Sequence, residues 1–141
     1  MLKPDLQFSV LCDDVRREDN GKFILIGIFE AIATLKFPSV YNQLHVVNRW
    51  CNGEGRYRQK VRIVSPENAT VSEVPETEIA LSETFATVTA HSVFRNVPFQ
   101  SPGRHWIEVL LDGDLVQRYP LMVLQLQAPA GPAGGGERPF S

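Results

Sequence analysis

The sequence has few cysteines and no long apolar run, and these two features limit the classes of protein to which it can belong. Only Cys12 and Cys51 occur among the 141 residues, and neither has a neighbour at metal-ligand spacing. No apolar run approaches the roughly 20 residues that a membrane helix needs. The start, MLKPDLQFSV, lacks the apolar core of a secretory signal. We therefore expect a cytoplasmic protein without membrane contact.

The sequence also lacks the common signatures of catalysis and of nucleic-acid binding. A formal net charge of −2 disfavours nucleic acid as a partner. There is no GxSxG elbow and no glycine-rich phosphate loop followed by lysine. His45, His91 and His105 fall on different predicted strands, outside the spacings of zinc motifs. The sequence therefore predicts no cofactor, no metal ion and no enzyme activity.

Turn dipeptides between apolar runs are what the sequence does contain. Asp112-Gly113 separates two such runs near the end, and Asn20-Gly21 does the same near the start. Both dipeptides favour the positive φ angles of tight hairpins. The dense apolar run over residues 22–30 is interpreted as a central strand covered on both faces.

Further turn residues along the chain divide it into seven to nine predicted strands. The sequence therefore predicts an all-β fold, an antiparallel, immunoglobulin-like β-sandwich over residues 1–127. Residues 128–141 are rich in glycine, alanine and proline, and are predicted to form a disordered, flexible tail.

A third hairpin, predicted around residues 52–55, concentrates positive charge on one face. Strand alternation places Leu44, Val46, Asn48 and Trp50 with Tyr57, Gln59, Val61 and Ile63. The opposite face then receives five strong cations: Arg49, Arg56, Arg58, Lys60 and Arg62. In this register Arg49 directly faces Arg58. These cations form the first candidate binding surface.

Two interpretations of this basic face stay open. In the first, the acidic stretch that follows the hairpin neutralises the basic face. This stretch contains Glu67, Glu73, Glu76, Glu78 and Glu83. In the other, the cations bind an acidic protein partner, and the binding is sensitive to salt.

Trp106 and Tyr119 form a second candidate surface. A two-residue turn at Asp112-Gly113 places them opposite each other in the last hairpin, as a stacking pair. Such a pair either packs structurally or offers a platform for a carbohydrate or another small ligand.

Asp13 and Asp14 are the best carboxylate pair. Adjacent residues of a strand point to opposite faces, so an Asx-type turn explains them structurally. A calcium site that includes Asp19, or a metal-assisted hydrolase that uses Asp13 and Asp14, is the functional alternative.

The chain resembles a family of small bacterial β-sandwich proteins of unknown function. The similarity rests on LCDDVRREDNGKFILIGIFE near the start and PFQSPGRHWIEVLLDGDLVQRYPLMV near the end. It implies a β-sandwich fold and brings no activity, cofactor or partner with it. We expect a non-enzymatic binding or scaffolding module that acts through a sheet face or loops, with a protein partner. The carbohydrate module and the hydrolase are the alternatives.

Overall fold

The structure is a computed structural model, and it describes residues 2–127. These residues form two β-sheets. This part of the chain has no helix long and apolar enough to cross a membrane. The predicted tail of residues 128–141 lies outside it. Ten strands follow one another: β1 (Asp5–Arg17), β2 (Phe23–Phe29), β3 (Ala31–Thr34), β4 (Ser39–Cys51), β5 (Gly55–Val64), β6 (Thr70–Glu73), β7 (Thr77–Leu81), β8 (Val88–Phe99), β9 (Gly103–Leu111) and β10 (Asp114–Gln125).

The strands divide into a first sheet with the order β2-β1-β4-β8 and a second with the order β3-β10-β9-β5-β6. β7 pairs with the other half of β5, on the same edge as β6. All pairs are antiparallel except β3 with β10. The predicted all-β sandwich is therefore confirmed, and the short strands β3, β6 and β7 bring the number of strands to ten.

The core lies between the two sheets. Its main cluster joins Leu44, Val46 and Phe94 of the first sheet to Ile63 and Ile107 of the second. A second cluster surrounds Trp50 at one end of the sandwich. Burial of these apolar side chains is the main driving force for packing one sheet on the other.

The predicted hairpins at Asn20-Gly21 and Asp112-Gly113 are both present. Gly21 has φ +88°, and β1 pairs with β2 on either side of this turn. Asp112 and Gly113 have φ +48° and +85°, the positive values that a tight two-residue turn demands. The local turn chemistry was therefore sufficient to locate both hairpins.

The predicted third hairpin is wrong, because β4 and β5 belong to different sheets. Residues 52–54 carry the chain from one sheet to the other, and Asn52 takes a positive φ of +58° in this corner. The predicted inward face is nevertheless buried, from Leu44 to Trp50 on β4 and from Gln59 to Ile63 on β5. Alternation therefore assigned the faces correctly, because a hairpin and a corner between sheets share the same pattern of inward residues.

The interpretation of residues 22–30 as a central strand covered on both faces is also wrong. β2 lies at the edge of the first sheet and pairs only with β1. Its inner side, with Phe29 against the core, is partly buried, but Ile24, Ile26 and Ile28 are exposed. The apolar outer face of this strand is the main departure of the structure from sequence-based expectation.

Candidate functional site

The five predicted cations do not share one surface. Arg56, Arg58, Lys60 and Arg62 line the outer face of the second sheet along β5. Arg49 lies on β4, in the first sheet, where it donates to Thr89 Oγ1 at 2.9 Å. The predicted contact between Arg49 and Arg58 is therefore wrong, because the corner at residues 52–54 places β4 and β5 on opposite sides of the core.

Acidic side chains neutralise most of the β5 cations. Arg56 pairs with Glu78 at 2.9 Å, and Lys60 pairs with Glu73 at 3.4 Å. Both carboxylates come from the acidic stretch that the sequence suggested. Within residues 2–127, Arg58 makes no salt bridge to an acidic side chain, although Glu78 is its register partner on β7. Arg58 is therefore the β5 cation that is freest to meet a partner.

Glu108 is a residue that sequence reasoning missed. It is almost buried on the outer face of β9 and pairs with Arg62 at 2.7 Å and with Arg118 at 3.3 Å. One carboxylate thus joins three adjacent strands, β5, β9 and β10. A lone acid within the apolar run of β9 was the available signal, since a buried carboxylate requires a charged partner.

Trp106 lies on the same outer face, beside Glu108. The guanidinium groups of Arg104 and Arg118 lie over its ring, 4.8 and 4.1 Å from the centroid. These cation–π contacts engage the ring, so a sugar that stacked on a covered face would have to displace a guanidinium group. The structure integrates Trp106 into the charged network of the second sheet.

The predicted stacking of Trp106 on Tyr119 is wrong. A β-bulge at Val116 shifts the register of β10 by one residue, so Trp106 lies opposite Pro120, and Tyr119 lies opposite Ile107. Tyr119 therefore points inward, where its hydroxyl forms a 2.8 Å hydrogen bond with the Ser9 hydroxyl. Burial raises the pKa of Tyr119 to about 12. The two aromatic residues do not form one surface.

Asp13 and Asp14 are not brought together either. Asp14 accepts hydrogen bonds at 2.9 Å from the Val15 amide and from Arg16 Nε on the outer face, and the hydrogen bond with Arg16 is the main cause that lowers its pKa. Asp13 accepts instead from the Tyr41 hydroxyl at 3.5 Å. Among residues 2–127 there is no cluster of three or more acidic, histidine or cysteine side chains suited to a metal ion.

The outer face of the first sheet holds two histidines on neighbouring strands. His45 and His91 have ring centroids 5.7 Å apart, and the buried Nδ1 of His45 has no hydrogen-bond partner within the described range. Burial, and then the charge of His91, lower the pKa of His45. Cys12 lies opposite His45, and burial raises the pKa of its thiol, which disfavours the reactive thiolate.

The third histidine, His105, is expected to make the stability of the fold depend on pH. His105 is buried, its Nδ1 lies 3.2 Å from the Gly103 carbonyl, and its ring packs edge-on against Phe99. Burial lowers its pKa below the ordinary 6.5, so the unfolded chain binds a proton more readily than the folded one. The stability from neutral His105 is therefore complete above pH 6.5 and is lost as the pH falls from 6.5 through the lower folded-state pKa.

We expect the His105→Gln variant to lose less stability than the wild type between pH 7.5 and pH 5. Urea unfolding at both pH values measures this difference, and an NMR titration of the His105 ring protons gives the folded-state pKa directly. A His105 pKa at or above 6.5 would contradict the prediction.

Three isoleucines of β2 form the most exposed apolar row of the two sheets. Ile24, Ile26 and Ile28 are 41%, 44% and 61% exposed, and they lie opposite Arg16, Asp14 and Cys12 of β1. We call these three side chains the isoleucine row. The Arg16–Asp14 ion pair, 2.9 Å long, borders the row on its inner side. The outer edge of β2 has no neighbouring strand within residues 2–127.

A cleft opens where β2 ends, at the seam between the two sheets. It has a volume of about 210 Å³, and Val10, Ile28, Tyr119 and Pro120 are among its lining residues. Pockets for drug-sized ligands usually measure roughly 300–1,000 Å³. The cleft is therefore small for a ligand pocket, and it extends the apolar surface of the isoleucine row.

Comparison with known proteins places the chain in a family. Residues 7–124, which make up most of the chain, match DUF6941, a family of unknown function. The chain belongs to this family. The membership agrees with the resemblance that the sequence suggested. No curated protein matches the chain.

Forty-five chains of solved structures match this fold. One is the β-glucosidase from Listeria innocua in complex with isofagomine, with a TM-score of 0.52 and 11% sequence identity. The match covers 89% of this chain but only 17% of that one. The likeness concerns a minor part of a much longer chain and shows the fold alone.

Proposed function

We propose that the chain is a non-enzymatic protein-binding module that binds its partner through the isoleucine row and the free edge of β2. The observation that carries this proposal is the exposure of three successive outward isoleucines on an edge strand. Adjacent exposed apolar side chains on a soluble domain are typical of interaction sites.

Two physical terms favour a β-strand as the partner's binding element. The free edge of β2 offers backbone amide and carbonyl groups to an added strand, which supplies affinity through main-chain hydrogen bonds. The isoleucine row provides apolar area, and covering one such half-exposed side chain contributes about 1 kcal/mol. An extended segment in which every second residue is apolar would make both the main-chain hydrogen bonds and the apolar contact.

The charge distribution supports an apolar contact over an ionic one. The β5 cations, except Arg58, already pair with Glu73, Glu78 or Glu108. An acidic partner would have to compete with these internal pairs. We therefore expect binding that depends weakly on salt, since the contact is mainly apolar.

The proposal also includes the cellular context. Cys12 and Cys51 are both free, which fits the reducing cytoplasm that the sequence favours. The resemblance in the sequence supports a bacterial source. The two packed, mainly antiparallel sheets support an immunoglobulin-like classification, in which varied surfaces are carried by a common sandwich.

The double variant Ile26→Thr, Ile28→Thr tests the proposed function. Threonine keeps the β-branched shape that strands favour while it removes apolar area, so the fold should persist. We expect this variant to lose the partner that co-purifies with the intact, N-terminally tagged chain from its native cells, at low and at moderate salt.

The matched control is Leu115→Thr, which removes an exposed apolar side chain from β10 in the second sheet. It should retain the partner. The proposed function would be wrong if the β2 double variant kept its partner, or if charge reversal at Arg58 alone abolished the interaction.

A further inference from the structure

We propose that the partner is a second copy of this chain, with β2 pairing antiparallel to β2 of the other copy about a two-fold axis at Ile26. This inference rests on the proposed function, because it names the occupant of the same edge. It follows from the symmetry of the β2 sequence, from the chemistry of the flanking residues and from the character of the other sheet edges.

The segment over residues 22–30 reads KFILIGIFE, which is nearly the same in both directions, with opposite charges at its ends. In an antiparallel pair centred on Ile26, each residue meets its counterpart at equal distance from the centre. Ile26 meets itself, Ile24 meets Ile28, and Lys22 meets Glu30. The segment is thus complementary to its own copy in side-chain type and in charge.

The pairing also places the right residues on the right faces. Directly opposite residues of an antiparallel pair share a face, and alternate residues of a strand share one as well. The six isoleucines of the two copies therefore form one continuous apolar patch on the outer face. Lys22 and Glu30, both exposed, flank β2 and would pair at the two ends of that patch.

On the other face of β2, the same register brings a large residue opposite a glycine. Leu25 of one copy meets Gly27 of the other, and Phe23 meets Phe29. A side chain at Gly27 is already excluded by the Asp13 carboxyl of its own β1. The Asp13 carboxyl lies where that side chain would be, so Leu25 of the second copy meets the glycine backbone and this carboxyl.

The other sheet edges carry features that discourage edge pairing. β8, the opposite edge of the first sheet, contains Arg95 and Pro98. The edge strands of the second sheet, β3, β6 and β7, have only four or five residues each. Charges, proline and shortness are the usual protections of a sheet edge. β2 has seven residues and neither charge nor proline, so it carries none of these three protections.

Pairing at β2 would join the two first sheets into one sheet of eight strands. The contact covers one short strand per copy, which lies at the small end of specific interfaces. We therefore expect a dissociation constant on the order of micromolar and a monomer–dimer equilibrium that sedimentation can follow between about 1 and 300 µM.

Cysteine cross-linking tests the register. Opposite Cα atoms of an antiparallel pair lie about 4.5–5.5 Å apart, within the range that a disulfide spans. In a Cys51→Ser background, Ile26→Cys should therefore form a disulfide-linked dimer under mild oxidation. Ile24→Cys is the matched control, because its two copies would lie about 13 Å apart and should not cross-link. An equimolar mixture of the Ile24→Cys and Ile28→Cys chains should cross-link as a heterodimer.

Charge exchange tests the same register without cysteine chemistry. Lys22→Glu alone places two glutamates opposite each other at both ends of the pair, and should weaken the dimer about tenfold. Glu30→Lys alone should weaken it similarly. The double variant Lys22→Glu, Glu30→Lys restores opposite charges and should recover the wild-type dissociation constant.

Several results would overturn the dimer. The first is a chain that stays monomeric up to about 300 µM, well above the expected micromolar range. The second is equal cross-linking of the cysteine variants at positions 24 and 26. The third is a double charge variant that dimerises no more tightly than the two single variants. If the chain is monomeric but the Ile26→Thr, Ile28→Thr variant still loses a different protein, the inference fails while the proposed function stands. If the wild type neither dimerises nor binds any protein through β2, both fail.

Discussion

Replacement of Gln59 by leucine is expected to lower the free energy of unfolding by about 2–4 kcal/mol. Gln59 lies on β5 in the core, and its Oε1 accepts two hydrogen bonds from the opposite sheet. Trp50 Nε1 donates one at 2.8 Å and Asn48 Nδ2 donates the other at 3.1 Å. All three side chains are almost completely buried. Leucine would leave both donors without an acceptor, in a place that water does not reach.

Urea unfolding followed by tryptophan fluorescence measures this loss. Gln117→Leu is the matched control, because Gln117 is exposed on β10 and should change stability by less than about 0.5 kcal/mol. A loss for Gln59→Leu as small as that of the control would contradict the prediction.

A double-mutant cycle with Asn48→Ala isolates the hydrogen bonds between the sheets. Asn48 has one buried atom, Oδ1, without a partner among the described residues, so part of its polarity is already unsatisfied. Removal of Asn48 from the Gln59→Leu variant also removes one of the two orphaned donors. We therefore expect the two losses to be less than additive.

Gly27→Ala is expected to destabilise the chain by about 2–3 kcal/mol, the second-largest effect. Gly27 has φ +69° within β2, a conformation that favours glycine. A Cβ at this position would also collide with the Asp13 carboxyl group of the neighbouring β1. Backbone strain and steric overlap therefore add at one residue.

Two further variants separate these causes. Gly21→Ala has a similarly positive φ but nothing within 4 Å of its Cβ, so it should cost only the backbone strain, about 1 kcal/mol. Adding Asp13→Ala to Gly27→Ala relieves the overlap and should recover the difference between the two. The account would be wrong if Gly21→Ala and Gly27→Ala destabilised the chain equally, as measured by urea unfolding at a concentration that keeps the chain monomeric.

The sequence alone determined the features that depend on a few neighbouring residues. Asp112-Gly113 and Asn20-Gly21 located two hairpins, because only certain residues tolerate the φ angles of these turns. Alternation identified the buried faces of β4 and β5, because a strand presents successive side chains to opposite sides. These local signals were enough to predict an all-β sandwich and the part of its core that β4 and β5 contribute.

The tertiary structure decided everything that depends on which strands become neighbours. The corner after Cys51 separates Arg49 from Arg58, and the bulge at Val116 separates Trp106 from Tyr119. Neither event changes the alternation pattern enough to be read from the sequence. Glu108 likewise finds Arg62 and Arg118 only when three strands are placed side by side.

The position of β2 follows the same rule and matters most for function. A continuous apolar run is equally compatible with a central strand and with an edge that another chain covers. The sequence contains the palindromic segment over residues 22–30, but its exposure exists only because β1 is its sole neighbour in the described sheet. Local chemistry therefore determined the strands and their faces, and the long-range order of the sheets determined which face is free to bind.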